Sequence, residues 1–195
     1  MDATLIFGDK KTFAVEVAHV ARERGVVYRL LDDGSPDPVP QERERLVGGV
    51  RIWVGGKYFG QIDDIVPLGT SAAHMEDWIT PGHIPVCRNR KRLLKNMKLD
   101  WCRVAERFRL RVELGETTDD FRISTFRSAG YVWFYWMPEQ WRGRLHRLNR
   151  RRVAFERLRC VAHEFITWAQ RAEQEVKHGT SPTENLRHDT GKGAA

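Results

Sequence analysis

Gly55-Gly56 stands between Val50-Arg51-Ile52-Trp53-Val54 and Lys57-Tyr58-Phe59-Gly60-Gln61-Ile62. Two consecutive glycines tolerate the positive φ angles of a two-residue hairpin turn, whose twist matches the strands it joins. The chain is thereby committed to antiparallel pairing. Side chains alternate along a strand, so Val50, Ile52 and Val54 share one face while Arg51 and Trp53 take the other.

Other segments extend the pattern. Thr4 to Phe7 is short and apolar, and beyond the turn-like Gly8-Asp9 the residues Phe13, Val15 and Val17 alternate with Ala14, Glu16 and Ala18. Val26 to Leu31 is a further β-rich run, ended by a loop with Pro36, Pro38 and Pro40. Gly69 to Ile79 reads as a loop leading into a short helix, with Thr70 or Ser71 as N-cap and Pro81-Gly82 as the stop. From about Arg90 to Phe108 the spacing of Leu94, Met97, Trp101, Val104 and Phe108 predicts a helix with one apolar stripe. A three-strand meander follows: Phe108 to Leu114, Phe121 to Phe126, and Tyr131 to Trp136, the last apolar on both faces and hence central. Ala154, Leu158, Val161, Phe165, Trp168 and Ala172 then mark one face of a long helix from about Arg151 to Lys177. The fold class is α+β: an antiparallel sheet with helices packed on one side and a long C-terminal helix. Residues 1–178 are expected to form a single domain, and 179–195, polar and with Gly and Pro, a disordered tail.

The 195 residues are 41% hydrophobic, too apolar for a disordered chain. The longest apolar run, Tyr131 to Met137, is far short of the ~20 residues that span a membrane. Leu5-Ile6-Phe7 is cut off by Gly8-Asp9, so no signal peptide is visible, and three cysteines (Cys87, Cys102, Cys160) make a poor disulfide framework. The expectation is a soluble, cytoplasmic protein without a membrane partner. The net charge of +7 is uneven: residues 1–85 carry 9 basic and 13 acidic side chains, and residues 86–195 carry 24 and 13. Such a field attracts polyanions or an acidic protein face; the plainer reading is that it only keeps the protein soluble.

Reactive groups are sparse. Gly8-Asp9-Lys10-Lys11 lacks the glycines and the Ser/Thr of a phosphate loop, and no Gly-x-Ser-x-Gly elbow occurs. His83 with Cys87, and Cys160 with His163, could ligate a metal only if the fold joined them, and Cys160 is more simply a packed residue. The doublets Asp63-Asp64, Glu76-Asp77 and Asp119-Asp120 fall at predicted turns or helix starts, where carboxylates serve the backbone. No catalytic residue, metal or cofactor is expected. The remaining candidate is a partner-binding cluster: Trp141, Arg142, Arg144, Arg147, Arg150, Arg151 and Arg152. Guanidiniums beside an aromatic ring clamp phosphates and stack on bases, and they equally seat carboxylates.

Ile6-Phe7-Gly8-Asp9-Lys10-Lys11-Thr12-Phe13-Ala14-Val15-Glu16, followed by Arg51-Ile52-Trp53-Val54-Gly55-Gly56-Lys57-Tyr58-Phe59-Gly60-Gln61-Ile62-Asp63, resembles immunity family forty-two of the bacterial polymorphic toxin systems. The positions that carry the resemblance are Gly8, Asp9, Phe13, Trp53, Gly55, Gly56, Gly60 and Asp63, within about a fifth of the chain. It implies a small non-enzymatic cytoplasmic protein that binds a cognate toxin and shields the producing cell. The stretch Arg142 to Arg152 is not part of the family pattern and would be a specificity element; the basic C-terminal half suggests that the toxin offers an acidic face, although the acidic first 85 residues could instead dock on a basic groove. The alternative from another class is an arginine-rich nucleic-acid-binding module.

Overall fold

The structure is a computed structural model that describes residues 4–27, 41–88, 92–93, 95, 121–138 and 149–177. The first sheet comprises β1 (Leu5–Asp9), β2 (Phe13–Val27), β3 (Gln41–Val54), β4 (Lys57–Phe59) and β5 (Ile65–Pro67). Its order is β1-β2-β3-β4, with β5 also on β3, and every pairing is antiparallel. The helix α1 (Leu68–Ile79) follows. The second sheet is a meander of β6 (Phe121–Ser128), β7 (Tyr131–Pro138) and β8 (Asn149–Ala154), and the chain then enters α2 (Phe155–Lys177).

The Gly-Gly hairpin forms as predicted: Gly55 and Gly56 have φ of 57° and 74°, and Trp53 pairs with Tyr58 across it. The short helix expected after Thr70 or Ser71 also forms but starts earlier, at Leu68, with Pro67 at the N-cap position and no side chain capping it. Its end is as read, with Thr80 donating through both its backbone N–H and its Oγ1 to Glu76 O before Pro81-Gly82.

Two elements differ from expectation. Phe13 to Ala18 and the start of the Val26 run belong to one 15-residue strand, interrupted between Ala18 and Ala21 by a register shift with His19 at φ 55°. Alternation at Phe13–Val17 ends at this irregularity, so period-2 reading loses the strand there. Second, α2 starts at Phe155 and not near Arg151. Asn149–Ala154 instead pairs with β7, burying Val153, and the Phe155 N–H donates to Gly130 O across the neighbouring turn. The meander's third strand is therefore β8. The predicted helix beyond Lys95, the strand Phe108 to Leu114, most of the Val26–Leu31 run and the tail 179–195 lie outside the described residues.

One buried cluster joins both sheets and both helices. From the first sheet come Phe13, Val15, Val17, Ile52, Val54 and Phe59; from the second Ile123, Val132, Phe134, Trp136 and Val153. The stripe of α2 (Leu158, Val161, Phe165, Ala169, Ala172) closes it, as a 3.6-residue period requires. Phe134 sits at the junction, with ring centroids 6.2 Å from Phe13, 6.1 Å from Phe59 and 5.4 Å from Trp78 of α1. Truncating such a ring costs about 3–5 kcal/mol. Among the described residues the two helices pack on this inner face, and the other face of the first sheet carries polar and aromatic side chains.

Candidate functional site

That outer face is organised around a buried carboxylate. Glu16 follows the β1–β2 turn and points away from the helices, between the core residues Val15 and Val17. Its Oε1 accepts from Lys10 Nζ at 2.7 Å, its Oε2 accepts from Trp53 Nε1 at 2.7 Å, and Arg51 Nη1 lies 3.7 Å from Oε2. The register explains the convergence, since Glu16 pairs with Arg51 and Ala14 with Trp53. Lys10 lies 4.6 Å from the Trp53 ring centroid, Arg51 lies 4.4 Å from that of Tyr58, and the two rings are 5.0 Å apart. Burial alone would push the Glu16 carboxyl up. The hydrogen bonds from Lys10 and Trp53, with the charges of Lys10 and Arg51, outweigh burial and hold it below its ordinary value. Around this centre Tyr58 is 45% and Ile6 50% exposed.

The turns at this end of the sheet are tied together. Gly55 N–H donates to Thr12 O and Gly56 N–H to Lys10 O, at 2.8 and 2.9 Å, while Asp9 Oδ1 accepts from the Lys11 N–H. Lys10 is thus positioned by a hairpin more than 40 residues away in sequence.

A second patch lies on β7 and β8. Arg150 and Arg152 are exposed on the face that carries Tyr131, Trp133 and Tyr135. The Arg152 guanidinium is 4.4 Å from the Tyr131 ring centroid and 5.5 Å from that of Trp133. Arg151 points the opposite way. Its Nε donates to Gly55 O at 3.3 Å, and its stem lies against the Gly-Gly turn.

Similarity to known proteins narrows the context. No protein-family model and no curated protein matches the sequence. Among solved structures, the chain is similar to CdiI from Burkholderia dolosa AUO158, with a TM-score of 0.53 over 84% of this chain and 99% of that one. The two share a fold. At 11% identity the likeness carries nothing about individual side chains.

Of the residues singled out by sequence, Gly8, Asp9, Phe13, Trp53, Gly55 and Gly56 meet at one end of the first sheet. Gly60 is buried just beyond β4, and Asp63 stands apart, exposed and 3.8 Å from His19 Nε2. The arginine cluster is divided: Arg150 and Arg152 face solvent, Arg151 braces a turn, and Trp141, Arg142, Arg144 and Arg147 lie outside the described residues. Cys160 is exposed on α2 and not packed as expected. Among the described residues no group of three or more His, Cys, Asp or Glu could hold a metal ion, and no helix is long and apolar enough to cross a membrane. Sequence reasoning missed Lys10, Glu16, Arg51 and Tyr58 as a site. The signal was present in the alternation, which places Glu16, Arg51 and Trp53 on the non-core faces of their strands.

Proposed function

We propose that this chain is a non-enzymatic immunity protein that binds a cognate bacterial toxin and neutralises it by occlusion. The observation that carries the reading is the fold shared with CdiI, an immunity protein of contact-dependent inhibition, over nearly the whole of that chain. The outer surfaces fit such a role, because Trp, Tyr and Arg dominate protein-binding centres and no bond-making chemistry is needed. For the narrower placement in immunity family forty-two we rely on the sequence motif alone, six of whose eight residues gather at one sheet end while Gly60 and Asp63 lie elsewhere. Arg150 and Arg152 would face an acidic region of the toxin in the cytoplasm of the producing cell.

The test is co-expression with the protein encoded by the adjacent gene, first expressed alone to establish that it poisons the cell. Growth rescue together with a 1:1 complex in size-exclusion chromatography is the expected outcome. Poisoning unrelieved by this chain would overturn the reading. The same arginines favour one rival, a nucleic-acid-binding module, which would give a steep log–log dependence of oligonucleotide affinity on salt.

A further inference from the structure

Resting on the immunity reading, we propose that the toxin docks on the outer face of the first sheet, over Trp53, Tyr58 and Arg51, and meets it with a carboxylate-bearing segment. Sequence patterning had pointed to the arginine cluster instead.

Three observations support this face. A carboxylate buried on the open side of a sheet is costly unless fully satisfied. Glu16 fixes Lys10, Trp53 and Arg51, and through Arg51 the ring of Tyr58. A partner therefore meets an aromatic and guanidinium cluster already ordered, which removes much of the entropy lost on binding. Trp, Tyr and Arg are also the residues enriched in the energetic centres of interfaces.

Charge then selects the partner. One carboxylate, Glu16, serves two cations, Lys10 and Arg51. The Arg51 Nε is buried and out of a partner's reach, but the guanidinium's contact with Glu16 is long at 3.7 Å and the side chain is 22% exposed, so the terminal nitrogens of the fork keep donors for another carboxylate. Exposed apolar area at Ile6 and Tyr58 favours a protein surface over a phosphate backbone. Arg150 and Arg152 have no carboxylate partner among the described residues and suit long-range steering, which changes association more than dissociation.

Binding kinetics against the inactivated toxic domain of the adjacent gene test this. Tyr58→Ala should speed dissociation by about 30-fold or more, the scale of a hot spot. Ile6 pairs directly with Glu16, so Ile6→Glu and Ile6→Lys change the charge at the edge of the network, and thermal melts of both variants serve as the control that the cluster still stands. Glu should weaken binding about tenfold and Lys should not. Arg150→Glu with Arg152→Glu should slow association about tenfold in low salt and leave dissociation nearly unchanged. Wild-type-like kinetics for Tyr58→Ala and Ile6→Glu, with tight wild-type binding, would overturn this face and leave the immunity reading intact. Equal weakening by Ile6→Lys would overturn the carboxylate. Tight binding of a 20-nucleotide single-stranded DNA, lost in Tyr58→Ala, would overturn a protein occupant. Absence of any wild-type complex would sink the immunity reading itself.

Discussion

Glu16 carries a titration that can be measured. Its carboxyl is held below the ordinary value of 4.5, so between that value and the folded-state value the native protein binds fewer protons than the unfolded chain. The stabilisation is complete above about pH 4.5 and is lost as pH falls through the folded-state value. Urea unfolding of wild type should therefore weaken toward pH 3 relative to Glu16→Gln, whose stability should depend less on pH in that range. At pH 7 the Gln variant should be less stable by about 1–3 kcal/mol, the scale of charge-assisted bonds at a buried site. Gly8 makes a different demand. Its φ is 87°, and an added Cβ would stand 2.5 Å from Phe13 O and 2.7 Å from Val161 Cγ2. Gly8→Ala should cost about 2–3 kcal/mol, whereas Gly56→Ala, with φ 74° but open space, should cost about 1 kcal/mol; thermal melts decide.

At the scale of elements, β8 shows how adjacent residues of one type part ways. Strand alternation sends Arg150 and Arg152 to one face and Arg151 to the other, where it bonds Gly55 O. Arg151→Ala should lower stability by about 1–2 kcal/mol through the lost bond and stem packing, while Arg150→Ala and Arg152→Ala stay within about 0.5 kcal/mol; denaturant midpoints would show it. Three identical charges in a row carry no hydropathy period, so the sequence alone does not separate the end of this strand, Arg151 onward, from the helix that follows. The long helix itself was legible because Leu158, Val161 and Phe165 repeat at helical spacing and all three are buried. The Gly-Gly hairpin was equally legible, its turn chemistry being local. The Glu16 cluster was not, because it depends on the pairing of residues 16 and 51, a register that only the folded sheet fixes.

For the whole molecule, the shared core predicts cooperativity. Phe134 belongs to the second sheet yet contacts Phe13 and Phe59 of the first and Trp78 of α1. Phe134→Ala should cost about 3–5 kcal/mol, and native-state hydrogen exchange should reveal lost protection in β2 and β3 as well as β7. Loss confined to the second sheet would mean that the sheets open independently. The charge asymmetry between the halves of the chain is plain in the sequence, but among the described residues the first half also contributes cations to the outer face. Basic residues from the acidic half, Lys10 and Arg51, stand on the outer face with Trp53.

The long β2–β3 ribbon has a consequence of its own. Past the irregularity at Ala18 and Ala21 it continues as a strand pair bearing Arg22, Glu23, Arg24, Arg43, Glu44 and Arg45, with Arg45 gripping Glu23 through two nitrogens. A second molecule approaching that margin would have to dehydrate this fringe of ions before its first main-chain bond could form. The ribbon can thus stay long without inviting copies of the chain to zip together.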